Sequence, residues 1–199
     1  MYQPVLSRNN IISTERDATM EKTLEGTAHG TARNPSTSFL KSLGWGTIGG
    51  IAGTLAMDLI LMAVLAAFGS PALTCFSIVG DTAAHFFSMQ NVEITGTILL
   101  GVATHYTVGP LIGAIFGLLL TRVKALRVNS LKKCILLGIL YVEILSQPLL
   151  ATTPILLKMT APATLLWYGG SFVMHLIAGI VLGAVVGHGL QLVTAVNHR

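Results

Sequence analysis

Apolar residues fall into four long blocks, at about 44–68, 96–121, 131–157 and 165–193, with polar residues returning between them. Each block exceeds the roughly 20 residues that a helix needs to cross about 30 Å of hydrocarbon at 1.5 Å per residue, so tilt or fraying is expected. The pattern predicts an all-α fold, a four-span transmembrane helix bundle over 44–199. Residues 1–43 precede the first block and read as a flexible cytoplasmic tail, rich in Ser, Thr, Asn and Glu with no apolar period. The segment 69–95 is longer than a hairpin connection requires. Pro71 and Thr74 can start a helix there, and Phe76, Ile78, Val79, Ala83, Phe86 and Phe87 would give it an apolar side. An extra interfacial helix between spans 1 and 2 is the expected result.

Composition agrees with the pattern. The chain has 199 residues, 52% of them hydrophobic and 10% charged, and a mean hydropathy of +0.73. A soluble domain carries about a quarter charged residues, so a soluble enzyme and a disordered chain are both disfavoured. No CxxC, HExxH or GxxxxGK[ST] pattern occurs, which removes the common soluble metal, redox and P-loop signatures. Two cysteines, Cys75 and Cys134, fall at opposite ends of the predicted spans and imply no disulfide framework.

The net charge of +4 is unevenly placed. Arg122, Lys124, Arg127, Lys132 and Lys133 crowd the connection between spans 2 and 3, which has no acid. Between spans 1 and 2 there is no Lys or Arg, only Asp81 and Glu93. The positive-inside rule then places the tail, the 122–133 loop and both termini in the cytoplasm, and reads the basic cluster as topological rather than nucleic-acid binding. Trp45 should mark the inner interface, and Trp167 with Tyr168 the outer one. No apolar h-region precedes residue 44, so no secretory signal is expected; Met20 offers an alternative start.

Spans 2 and 4 repeat one another. His105 begins HYTVGPLIGAIFG and His175 begins HLIAGIVLGAVVG, both H-x3-G-x3-G-x3-G, with Gly109, Gly113 and Gly117 answering Gly179, Gly183 and Gly187. Spans 1 and 3 give a fainter echo, Gly53 followed by Asp58 against Gly138 followed by Glu143. Two parallel hairpin repeats are suggested, with small residues on one face letting backbones approach closely.

Each span also carries one ionisable residue at a similar depth: Asp58, His105, Glu143 (with Gln147 one turn outward) and His175. A bare charge at mid-bilayer costs about 2.5–3.5 kcal/mol, so these groups should face the bundle interior and pair. Four readings remain open. A proton- or ion-responsive site would use carboxyl and imidazole pKa values that burial drives toward neutrality. Pro110 and Pro148 would free backbone carbonyls at the same level. A metal site could draw on His105, His175, Asp58 and Glu143. A b-type haem could be held by His105 and His175, although glycine stripes packed on each other would leave no room for it. Polar groups that simply bind the helices together are the structural alternative. Asp81 and His85, four residues apart, would form an outer ion entrance or a solvated pair.

Gly101-Val-Ala-Thr-His105, and Trp167-Tyr168 followed by Ser171 and His175, resemble the YagU-type family of small bacterial inner-membrane proteins. The resemblance implies a multi-span protein of the bacterial inner membrane and brings no catalytic residue or cofactor with it. The expected function is non-enzymatic: a membrane protein with a proton- or ion-responsive intramembrane site and a role in transport. A metal- or haem-binding redox subunit and a structural or assembly protein are the alternatives. The expected partners are the lipid bilayer and either a second copy or a heteromeric membrane protein.

Overall fold

The computed structural model describes residues 35–123, 126 and 130–196. Met20, His29, Lys124, Arg127, His198, Arg199 and the tail through residue 34 lie outside the described residues. The described chain forms five helices: α1 (Pro35–Ala67), α2 (Thr74–Ser88), α3 (Ile98–Arg122), α4 (Leu131–Leu156) and α5 (Ala161–Val196). Phe39–Ala67, Ile98–Arg122, Leu131–Leu156 and Ala161–Leu190 are each long and apolar enough to cross a membrane. This is an integral membrane protein built as a helix bundle. Large apolar side chains accordingly cover its outside, Leu99, Leu111, Leu136, Ile155 and Leu165 among them, because lipid is as apolar a neighbour as another helix.

The helix ends follow local chemistry. α1 opens at Pro35 rather than at residue 44, so the last part of the expected tail is helical; proline lacks the N–H that a first turn would leave unpaired. Gly69, at a φ of 71°, closes α1. The Ser70 N–H reaches Leu65 O at 2.9 Å and the Gly69 N–H reaches Ala66 O at 3.0 Å, the paired bonds of a left-handed C-terminal cap. Thr97 and Ser130 cap α3 and α4, accepting from the N–H of Leu100 and Lys133. Inside α4, Pro154 cannot donate to the carbonyl of Leu150. The Trp167 indole N–H supplies that bond from α5 at 3.2 Å.

Glycine decides how the helices pack. A Cβ on Gly46 would collide with the backbone of Gly113, one on Gly50 with Gly109, and one on Gly117 with Ser42 and Gly46. These contacts run in opposite directions along the two chains, so α1 and α3 are antiparallel and meet backbone to backbone. α4 and α5 meet in the same way, through Gly138 against Gly179 and Gly183, and through Cys134 against Gly183 and Gly187. Gly49 and Gly53 turn the adjacent face of α1 onto Leu182, Val186 and Ala178 of α5. The ring closes where Tyr141 of α4 donates to Ile112 O of α3 at 3.0 Å and packs on Phe116. Met57, Phe116, Val142, Met174, Leu182 and Val186 fill the interior.

The faint echo between spans 1 and 3 does not describe these contacts. Gly53 packs on Ala178, whereas Gly138 packs on Gly179 and Gly183. The residue of α1 that meets its hairpin partner as Gly138 does is Gly50. The same offset of 88 carries Asp58 to Ser146, not to Glu143.

The segment between the first two spans is helical, as expected, but turns a different side inward. Phe76, Gly80 and Ala84, spaced by four, are its buried residues, and Phe76 and Gly80 are pressed against Gly101 and Thr97 of α3. Phe86 and Phe87 are exposed. The backbone of α2 at Phe76 and Gly80 lies directly on α3 because Gly101 has no side chain there to hold the two helices apart.

A Cβ at position 113 must displace backbone rather than a flexible side chain. Gly113→Ala should therefore destabilise the bundle by about 1–3 kcal/mol even though alanine is the better helix former. Gly44, with nothing within 4 Å of its would-be Cβ, is the control: Gly44→Ala should be neutral or stabilising by up to about 1 kcal/mol. Thermal unfolding in detergent, followed by circular dichroism, compares the two.

Candidate functional site

Asp58 is the fifth member of a row on α1 spaced by four: Ser42, Gly46, Gly50, Thr54 and Asp58. On α3 the facing row is Gly101, His105, Gly109, Gly113 and Gly117. The seam that joins the two helices thus changes, towards one end, from glycine contact to polar contact. Thr54 sits on Gly109, and one turn further Asp58 Oδ1 meets His105 Nδ1 at 3.1 Å. The close approach set by the glycines is what brings these two short side chains within hydrogen-bond reach.

The carboxyl is sealed in. Asp58 is 3% exposed, and its second oxygen, Oδ2, is buried with no hydrogen-bond partner among the described residues. Phe76 of α2 packs edge-on against the His105 ring, with centroids 5.5 Å apart and planes at 71°. That ring lies over the pair from the α2 side. Two further groups sense the carboxylate: the thiol of Cys75, next to Phe76, and the hydroxyl of Tyr106, next to His105. Neither was legible as part of a site, because α2 had to be seated on α3 before Cys75 came near Asp58. Burial, with the Asp58 charge as the lesser cause, pushes the Cys75 thiol up to about 12.

The other members of the intramembrane set stand apart from this pair. His175 directs Nδ1 to the carbonyl of Ser171, one turn back on its own helix, at 2.8 Å, and lies within electrostatic reach of His105. Glu143 Oε2 is 3.5 Å from Gln147 Nε2 on the same helix, while Oε1 is enclosed without a partner among the described residues. Asp58 with His105 and Glu143 with Gln147 are therefore two separate hydrogen-bonded pairs. Among the described residues, no group of three or more His, Cys, Asp or Glu side chains is placed to hold a metal ion. The stripe Gly109, Gly113, Gly117 packs on α1 and the stripe Gly179, Gly183, Gly187 on α4. The two histidine-bearing helices thus do not meet through their glycines.

Asp81 and His85 share a shallow open cleft with Ala84, Ser88, Ile94 and Gly96. His85 Nδ1 bonds the backbone carbonyl of Asp81 at 3.0 Å, and the Asp81 carboxylate rests on Gly96. The two side chains are not joined carboxylate to imidazole. No family model matches this chain, and neither a curated protein nor a solved structure is detectably similar to it.

Cys75 reports on the pair. A thiol at about 12 rather than the ordinary 9.0 carries about a thousandfold less thiolate near neutral pH, and its alkylation should slow accordingly. Asp58→Asn removes the lesser cause and should speed alkylation only modestly. Peptide mass spectrometry, which separates Cys75 from Cys134, gives both rates.

Proposed function

We propose that this is a non-enzymatic, multi-pass protein of the bacterial inner membrane in which Asp58 and His105 form a proton- or cation-responsive site coupled to transport. The observation that carries this reading is the sealed carboxyl, hydrogen-bonded to one imidazole through Oδ1, with no partner within hydrogen-bond distance of Oδ2 among the described residues and the Tyr106 hydroxyl beside the same carboxyl. With Nε2 also protonated, a proton held between Oδ1 and Nδ1 makes the pair neutral overall. Without it, one negative charge stands among glycine backbone and the Phe76 ring. A bare carboxylate at that depth costs about 2.5–3.5 kcal/mol, so protonation or a small cation on Oδ2 changes the energy of the α1–α3 seam directly. The YagU-type resemblance supports the inner membrane, and the basic 122–133 loop supports a cytoplasmic side for that connection and for both termini.

A structural reading has its own support: the pair continues the register of the glycine seam and acts as its polar rung. Such hydrogen bonds average about 0.6 kcal/mol in membranes, less than the insertion cost of the acid. That imbalance favours a function for the charge.

The two readings separate under a titration. Infrared difference spectra of the full chain in lipid, before and after a change of pH, should contain a carboxylic-acid band that Asp58→Asn removes and Glu143→Gln leaves in place. In proteoliposomes under a pH gradient, Asp58→Asn should abolish proton-linked ion movement. A band absent from the wild type, together with undiminished ion movement in Asp58→Asn, would leave the pair a structural rung.

A further inference from the structure

Glu143 and Gln147 sit where a single bundle can least accommodate them. Glu143 is the thirteenth of the 26 residues of α4, which places it at the middle of that span. Its own helix turns Cys134, Gly138, Val142, Ser146 and Leu150 inward, and Glu143 lies about 100° round the helix from Val142. It flanks the outward side, where Leu136 is 56% exposed, Leu140 50% and Ile144 69%. Gln147, one turn on, is exposed. The carboxyl and the carboxamide share one long bond of 3.5 Å; Glu143 Oε1 is enclosed within the chain, so the group this face leaves open is the exposed Gln147 carboxamide. At mid-bilayer there is no water to satisfy what remains.

We infer that this outward face of α4 is an interface with a second copy of the chain, packed parallel about a two-fold axis along the membrane normal. The pair is complementary to itself. A neutral glutamic acid offers one O–H donor and a carbonyl acceptor, and glutamine offers an N–H2 donor and a carbonyl acceptor. Two copies related by a two-fold axis bring the same depths together, so Glu143 of each reaches Gln147 of the other across one turn. Both bonds form at once, which is the reciprocity of an isologous interface. Leu136, Leu140 and Ile144 supply an apolar ridge at four-residue spacing on either side of the polar level. The site at Asp58 is on another seam, so this inference does not rest on the function proposed above.

The test is cross-linking of the full chain in native membranes. With Cys75 and Cys134 replaced by Ser, Ile144→Cys should form a disulfide-linked dimer of twice the 21.0 kDa chain mass. Ile115→Cys, on an exposed position of α3, should not. Adding Glu143→Leu with Gln147→Leu should lower the dimer yield about tenfold, since two reciprocal membrane hydrogen bonds are lost. Glu143→Gln, which keeps a donor and an acceptor, should retain the dimer. The leucine pair suits a lipid-facing surface, and its monomer should unfold no earlier than the parent. Absence of the Ile144→Cys dimer, a cross-link to a different protein, or a dimer unaffected by the leucine pair each overturns the proposal.

Discussion

The close approach of α1 and α3 is the constraint on which the rest of the bundle depends. Backbones can touch only where both helices lack side chains, and Gly46, Gly50, Gly109, Gly113 and Gly117 provide that on two facing rows. In a membrane, apolar burial gives little reason for one helix to prefer another over lipid, so fit and hydrogen bonding must decide the pairing. Each glycine contact also fixes the register of the next turn. By the time the rows reach Asp58 and His105, the distance between them has been set by four preceding contacts rather than by their own attraction.

The same reasoning explains why α2 belongs to the site. Its inward residues follow the rule of the seam, with the backbone of Phe76 on Gly101 and Gly80 on Thr97. Seating Phe76 on Gly101 brings its ring to the edge of His105 and carries Cys75 toward Asp58. A larger residue at 101 would lift α2 away and open the carboxyl to its surroundings. The lid over the pair is thus a consequence of one missing side chain on α3. At the far side of the bundle, Trp167 answers a different local demand, the carbonyl that Pro154 leaves unpaired in α4.

Grouping residues by depth worked for one pair and not for the whole set. Asp58 and His105 were both visible as intramembrane groups, and the four-residue spacing of the glycines already marked the side of α3 on which His105 stands. Glu143 has a comparable depth, yet it differs in azimuth: Ser146 occupies the seam position on α4, and Glu143 turns toward the outward side. His175 shares the spacing pattern of His105 but faces no acid at the equivalent position, and its Nδ1 falls back on Ser171. Depth follows from counting along a helix, whereas azimuth relative to a neighbour requires knowing which neighbour is there.

What the sequence determined by itself was the number of spans and their approximate limits. These follow from the length of apolar runs, because backbone groups in lipid have no partner but their own helix. The α2 helix was legible from Pro71 and Thr74, although its inward side was not. Only the tertiary structure decided which stripe meets which helix, that Gly50 rather than Gly53 makes the contact with α3, and that Cys75 and Tyr106 lie near Asp58. Those choices are made by the fit of one backbone against another. Many pairs of small-residue stripes satisfy the same spacing, and the sequence alone does not say which pair comes together.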